Sequence, residues 1–161
     1  MKSIESIKNK ITSLSALTEL RGRLKKKGKT VVFTNGCFDI LHRGHIEYLS
    51  GAAQLGDFFI IGLNSDSSVS RLKGKGRPLQ DQDSRALILA ALSFTDAIVL
   101  FDTDTPIGLI TAIKPDILVK GGDYRPEDIV GYDVVTSGGG KVLVLPFVEG
   151  HSSSAVIKRL G

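Results

Sequence analysis

Apolar and polar positions along this chain fall into blocks. Five short runs are almost wholly apolar or β-branched: TVVFT (30–34), FFIIGL (58–63), AIVLF (97–101), DILVK (116–120) and KVLVLP (141–146). Most lack period-two alternation, which predicts strands covered on both faces, as in parallel sheets. The segments between them carry helical spacing. Leu14, Leu17, Leu20 and Leu24 share one helical face, and Gly28 is placed to end that helix. Further helices are expected over 45–55, 84–94, 106–113 and 151–160. Strands alternating with helices predict a doubly wound α/β domain with a five-stranded parallel sheet, in the common order 3-2-1-4-5. One domain over 1–161 is expected, with 1–28 as its N-terminal helical segment. In that order the sheet reverses direction at its first strand, and ligands bind beyond the carboxyl ends of the first and fourth strands. The least ordinary segments of the chain follow those two strands: TNGCFDILHRGH (34–45) and KGGDY (120–124).

Composition narrows the class. A chain of 161 residues suits one domain. Its single cysteine, Cys37, rules out an internal disulfide framework. No window approaches the roughly 18 consecutive apolar residues of a membrane span, and no secretory signal is visible, so no membrane partner and a cytoplasmic, reducing setting are expected. The net charge of +4 is uneven, concentrated in RGRLKKKGK (21–29) and RLKGKGR (71–77). Few aromatics interleave with these basic residues, so a small anionic ligand fits better than nucleic acid.

His42 and His45 straddle an expected helix start, where free N–H groups and a partial positive charge attract phosphate. Imidazoles there can donate to phosphate oxygens as charge builds in a transition state. The ordinary alternative is one solvated and one capping histidine. A zinc site lacks a nearby third ligand, with only the distant His151 available. Asp39 reads as a partner for a histidine or a ligand hydroxyl, or as a turn residue. Cys37 reads as a packed small residue, not a nucleophile. RLKGKGRP reads as a mobile arm that brings Lys73 and Lys75 onto phosphates, or as a solvated loop. Arg85, near the start of a helix, opposes the dipole there; an anionic ligand or a neighbouring aspartate would explain it. Gly121, Gly122 and Asp123 would let a nucleotide approach the backbone. Of Ser152, Ser153 and Ser154, one suffices as an N-cap and two remain as donors.

Together GCFDILHRGH, NSD, RLKGKGRP, KGGDY and EGHSSSAVI resemble the cytidylyltransferase-like nucleotidyltransferases, whose HxGH signature appears as His42-Arg43-Gly44-His45. TNGCFDILH, RLKGKGRP and LVKGGDYRPEDIVG are similar to the adenylyltransferase domain of ADP-heptose synthases. The resemblance covers roughly 15–161 and implies a Rossmann-like fold and nucleotidyl transfer. A sugar-phosphate oxygen would attack the α-phosphorus of ATP, and pyrophosphate would leave with Mg²⁺ help. It implies that His42, His45 and Lys73 are catalytic. Asn35, Gly36, Cys37, Phe38, Gly121, Gly122, Asp123, Gly150 and Ser152–Ser154 would bind nucleotide. Asp39, Lys75 and Arg85 would bind the acceptor. A homodimer is expected on the same ground, with no protein-held metal.

Two departures stand out. Relatives that use CTP often carry RTEGIST before the last helix, whereas this chain has FVEGHSS, with Phe147 at the arginine. Bifunctional heptose synthases also carry a sugar kinase domain, for which 161 residues leave no room, so a stand-alone transferase is expected. The alternatives are a cytidylyltransferase acting on glycerol 3-phosphate or a similar small phosphate, and a nucleotide-binding module without turnover.

Overall fold

The computed structural model describes residues 3–147 and 150–161. Its centre is a parallel sheet of β1 (Val31–Gly36), β2 (Phe58–Asn64), β3 (Ala97–Phe101), β4 (Ile117–Gly121) and β5 (Lys141–Leu145), in the order β3-β2-β1-β4-β5. This is the expected order, and strand ends differ from the sequence reading by two residues at most. The helices are α1 (Ile4–Lys8), α2 (Leu14–Lys26), α3 (Arg43–Ala53), α4 (Asp66–Lys73), α5 (Gln82–Ala90), α6 (Ile107–Ile113), α7 (Tyr132–Ser137) and α8 (Ser153–Leu160). A 3₁₀ turn covers Pro126–Asp128.

The strands are apolar on both sides because each side meets helices. On one side Phe33, Ile60, Val99 and Leu118 pack with Leu17 of α2, Leu109, Ile110 and Ile113 of α6, and Val135 of α7. On the other, Val32, Phe59, Ile61, Ile98 and Val119 pack with Leu49 and Ala52 of α3 and Ala86 and Leu89 of α5. Gly28 ends α2 at φ +68°, a left-handed geometry that glycine adopts without strain. Ahead of α2, residues 10–12 lie beside β3: Ile98 N donates to Lys10 O at 2.8 Å, and Thr12 N donates to Ile98 O at 2.9 Å. The buried Arg21 reaches across to Asp116 at 2.9 Å and to the carbonyl of Lys114 at 3.0 Å.

Helix α4 was absent from the sequence reading. Residues 66–73 form α4, capped by Ser65, whose hydroxyl accepts from Ser68 N. The sequence DSSVSRLK hides it, since Ser68 and Val69 are its only buried positions. Lys73 therefore ends a helix. The 74–76 segment behind it turns through Gly74 at φ +96° and Gly76 at φ +81°.

The sheet opens where its order reverses. β1 and β2 pair over six positions, whereas β1 and β4 pair only at Val32–Ile117 and Phe33–Leu118. Beyond that the strands are joined through side chains. The Thr34 and Tyr48 hydroxyls lie 2.9 and 3.1 Å from Val119 O and within hydrogen-bonding reach of each other, so one donates to the carbonyl and the other to its neighbour or to the same oxygen. Burial pushes the Tyr48 phenol up to about 12, so it stays protonated and able to donate.

Candidate active site

A cleft of about 930 Å³ lies over this opening. Its floor is the turn after β1, and three neighbours tether the carbonyls of that turn. Arg85 Nη1 donates to Cys37 O at 2.8 Å, Gln80 Nε2 to Asp39 O at 2.9 Å, and the Ser153 hydroxyl to Ile40 O at 3.1 Å. Phe38 sits at φ +46°, a region costly for a residue with a Cβ, so the surrounding fold has to impose it. Its ring covers Gly36, where a Cβ would come within 2.8 Å, and meets His45 edge-on at 5.3 Å.

His42 occupies the N-cap of α3 but its side chain caps nothing, unlike Ser65, Asp81 and Ser152 at their helices. The first N–H groups of α3 thus have no side-chain cap. His42 and His45 stack with ring centres 3.9 Å apart, and His151 lies parallel to His42 at 6.4 Å. Gly44 makes the stack possible: a Cβ there would lie 3.0 Å from the His42 ring and 3.2 Å from His151 Cβ. Burial pushes His45 down to about 4, and the neighbouring His42 adds to the shift. The Ile40 carbonyl offsets this only in part, because no acceptor among the described residues completes a hydrogen bond with His45 Nδ1. His42 is lowered too, by burial and by His151. Both Nδ1 atoms are buried without a partner among the described residues. With both Nδ1 atoms turned inward, Nε2 is the nitrogen each ring leaves for a ligand.

The cleft gathers most of the residues singled out in the sequence. Asn35, Gly36, Cys37, Phe38, Asp39, His42, His45, Lys73, Gly121, Gly150, Ser152, Ser153 and Ser154 all line it. Lys75, Gly122 and Asp123 do not, and Lys75 and Asp123 point into solvent. Burial pushes the Cys37 thiol up, which suits a packed residue and not a nucleophile.

Several expected roles change. Arg85 was read as gripping the acceptor's phosphate, but its side chain is 0% exposed and its donors are taken. Besides Cys37 O, they meet Gln80 O at 2.9 Å, Asn64 O at 2.8 Å and Asp66 Oδ1 at 2.8 Å. A ligand hydroxyl was expected on Asp39, whose carboxylate is instead fully engaged in holding the chain after the glycine arm. It accepts from Arg77 Nε at 2.7 Å, Leu79 N at 2.9 Å and Gln80 N at 3.0 Å. Burial alone would raise its pKa, but the Gln80 and Leu79 amides and the Arg77 guanidinium together lower it. The arm 73–77 is therefore tied down at its far end. Gly121 makes room for protein, since a Cβ there would meet Phe147 at 2.9 Å and Tyr48 at 3.2 Å. Ser152 caps α8 and Ser153 is bonded to Ile40 O, while the exposed Ser154 has no protein partner among the described residues. Glu149 of EGHSSSAVI lies outside the described residues.

Phe147, noted in the sequence where relatives carry an arginine, lines the cleft, and other lining residues were not singled out: Arg77, Lys120, Tyr124 and the 104–106 and 128–130 segments. Lys120 had a legible signal, a cation closing the buried apolar run ILV. The 104–106 segment carries no motif, and 128–130 falls at the end of LVKGGDYRPEDIVG, where no single residue stood out; the ends of β3 and β4 bring both segments there.

The cytidylyltransferase-like family model matches residues 33–159. Among curated proteins, the bifunctional protein HldE of Trichlorobacter lovleyi is 54% identical over 152 residues, 94% of this chain and 31% of that protein. The bifunctional protein HldE of Campylobacter concisus is 54% identical over 148 residues, 91% of this chain and 30% of that one. The chain thus spans about a third of the length of these relatives. Among solved structures, the lipopolysaccharide core biosynthesis protein from Thermoplasma volcanium superposes with a TM-score of 0.62 at 29% identity, over 77% of this chain and 100% of its own. A pantoate-beta-alanine ligase from Francisella tularensis, complexed with beta-gamma ATP and beta-alanine, shares the fold at TM-score 0.60 and 15% identity, over 89% of this chain and 68% of its own. With its HxGH turn at the sheet's switch point and the family match running through β1 to α8, the chain belongs to the cytidylyltransferase-like family.

Proposed function

We propose that the chain transfers the adenylyl group of ATP to a sugar 1-phosphate, with D-glycero-D-manno-heptose 1-phosphate as acceptor, giving ADP-heptose and pyrophosphate. One observation carries the reading: two neutral, stacked histidines at the uncapped start of α3, in a cleft that also holds Lys73 and Lys120. An oxygen of the acceptor's phosphate attacks the α-phosphorus, the bond from that phosphorus to the bridging oxygen of the β-phosphate breaks, and pyrophosphate leaves. No covalent nucleophile is needed, so the protein's part is to position the groups and stabilise charge. The Nε2–H groups of His42 and His45 and the N–H groups of α3 meet phosphate oxygens as negative charge moves toward the leaving group. Lys73 reaches the cleft from the end of α4. Mg²⁺ enters as the counter-ion of the triphosphate. Among the described residues no three His, Cys, Asp or Glu side chains gather to hold an ion of their own.

The choice of adenylyl and heptose rests on resemblance to ADP-heptose synthases and on the HldE relatives, which extend well beyond this chain. A homodimer in the cytoplasm belongs to the same reading. Among the described residues, no helix is long and apolar enough to cross a membrane.

Pyrophosphate release tests the proposal, with ATP and then CTP, against heptose 1-phosphate, mannose 1-phosphate and glycerol 3-phosphate. ATP with heptose 1-phosphate should lead in kcat/KM by about tenfold or more, a difference of about 1.4 kcal/mol at the transition state. A lead for CTP with glycerol 3-phosphate would replace the substrates and keep the chemistry. His45→Ala should lower turnover about 10²- to 10³-fold with the fold intact by circular dichroism. Unchanged turnover would remove His45 from the reaction.

A further inference from the structure

With Arg85 sealed beneath the turn, the acceptor's phosphate needs another cation. Lys120 is the penultimate residue of β4, opposite Val144 of β5. Val119 before it packs with Val32, Tyr48 and Leu49 on the α3 side of the sheet. Strand alternation turns Lys120 toward the other side. There Pro106, Ile129 and Val130 line the same cleft, away from the histidines.

The acids on that side are already engaged. Asp104 is paired with Arg71 at 2.8 Å and Asp128 with Arg125 at 2.9 Å. Neither Lys120 nor Lys73 has an ion-pair or hydrogen-bond partner among the described residues. A half-buried ammonium at the mouth of a cleft, with a second lysine near enough to repel it, is an arrangement that an anion relieves.

We propose that Lys120, with Lys73 beside it, seats the phosphate of the acceptor, on the wall of the cleft opposite the histidine pair. The inference rests on the transferase reading above and adds to it where the attacking phosphate is held. The triphosphate then lies over the turn after β1 and α3, and the acceptor enters from the α6 side. Lys73, between them, touches both. Burial, together with repulsion from Lys73, holds the Lys120 ammonium below its ordinary pKa. A bound phosphate dianion counters both effects, so the seat discriminates in favour of a doubly charged monoester.

The test compares the wild-type protein with Lys120→Met, which keeps the stem, and Lys120→Arg, which keeps the charge. In Lys120→Met the KM for the acceptor should rise about 10- to 100-fold while the KM for ATP stays within about twofold. Lys120→Arg should recover most of the loss. An unchanged acceptor KM, or a rise shared equally by ATP, overturns the seat. A second readout needs no turnover. The wild-type protein, loaded with a non-hydrolysable ATP analogue, is reductively methylated, and the Lys120 peptide is followed by mass spectrometry. Heptose 1-phosphate, glycerol 3-phosphate or inorganic phosphate at saturating concentration should slow labelling of Lys120 and leave the exposed Lys25 unaffected. Protection without turnover of any acceptor would sink the transferase reading and keep the anion seat. Turnover with neither protection nor a change in acceptor KM would do the reverse.

Discussion

Replacing Gly44 with alanine should separate stability from catalysis. The residue lies in the first turn of α3 with helical backbone, where alanine is favoured over glycine by up to about 1 kcal/mol. The added methyl, however, has nowhere to go. Its carbon would stand 3.0 Å from Cε1 and Nδ1 of His42 and 3.2 Å from His151 Cβ. Carbon contacts are comfortable at about 3.5–4.0 Å, so the His42 ring must retreat by a few tenths of an ångström. That ring is stacked on His45 at 3.9 Å, and in the proposed reaction the stack sets where the two rings meet phosphate. Displacements on this scale cost reactions that depend on alignment about one to two powers of ten. Gly44→Ala should therefore show an unfolding free energy within about 1 kcal/mol of the wild type and a kcat about 10- to 100-fold lower. Urea denaturation and pyrophosphate release on the same preparation measure both. A variant as stable and as active as the wild type would refute the claim that Gly44 holds the histidine geometry.

Arg85→Ala should act on stability more than on acceptor binding. It strands three carbonyls and Asp66, a loss of about 3–5 kcal/mol for a broken buried pair, lowered because Asp66 can be rehydrated. Undiminished stability in chemical denaturation, with a weakened acceptor, would return Arg85 to the ligand. For pH dependence, His45 titrates near 4 when folded, against about 6.5 when unfolded, and faces His42 and Phe38. Below 6.5 the unfolded chain takes up a proton that the folded one refuses, so this contribution is complete above pH 6.5 and is lost as pH falls toward 4. Allowing for screening of the partly exposed ring, the loss is on the order of 1–2 kcal/mol. Between pH 7.5 and pH 5 the urea midpoint of the wild type should fall further than that of His45→Gln; equal falls would count against it.

What could be read from sequence divides along physical lines. A strand sealed on both faces has to be a continuous apolar run, so VVF, FIIGL and AIVLF marked the sheet and, through alternation with helices, its order. The histidines were legible because HRGH combines two ring donors with a glycine at a helix start. Arg85 was misplaced because burial of a charge leaves no local trace: its partners come from the turn after β1, the end of β2, the start of α4 and the loop before α5, up to 48 residues away. Asp39 is the same case, with partners near residue 80. Helix α4 was missed because a helix with only two buried residues has almost no apolar period to detect.

The short stretch beside β3 has a consequence for where the protein can be cut. The family-model match begins at Phe33, inside the first strand. A fragment starting there would lack residues 10–12, which occupy the hydrogen-bonding edge of β3, and would uncover Ile98 for pairing with a neighbouring molecule. It would also remove Leu17 from the core and leave Asp116 without Arg21. The span of the family match and the smallest piece able to stay monodisperse in solution are therefore different lengths of chain, and the difference is made up by residues that do not line the cleft.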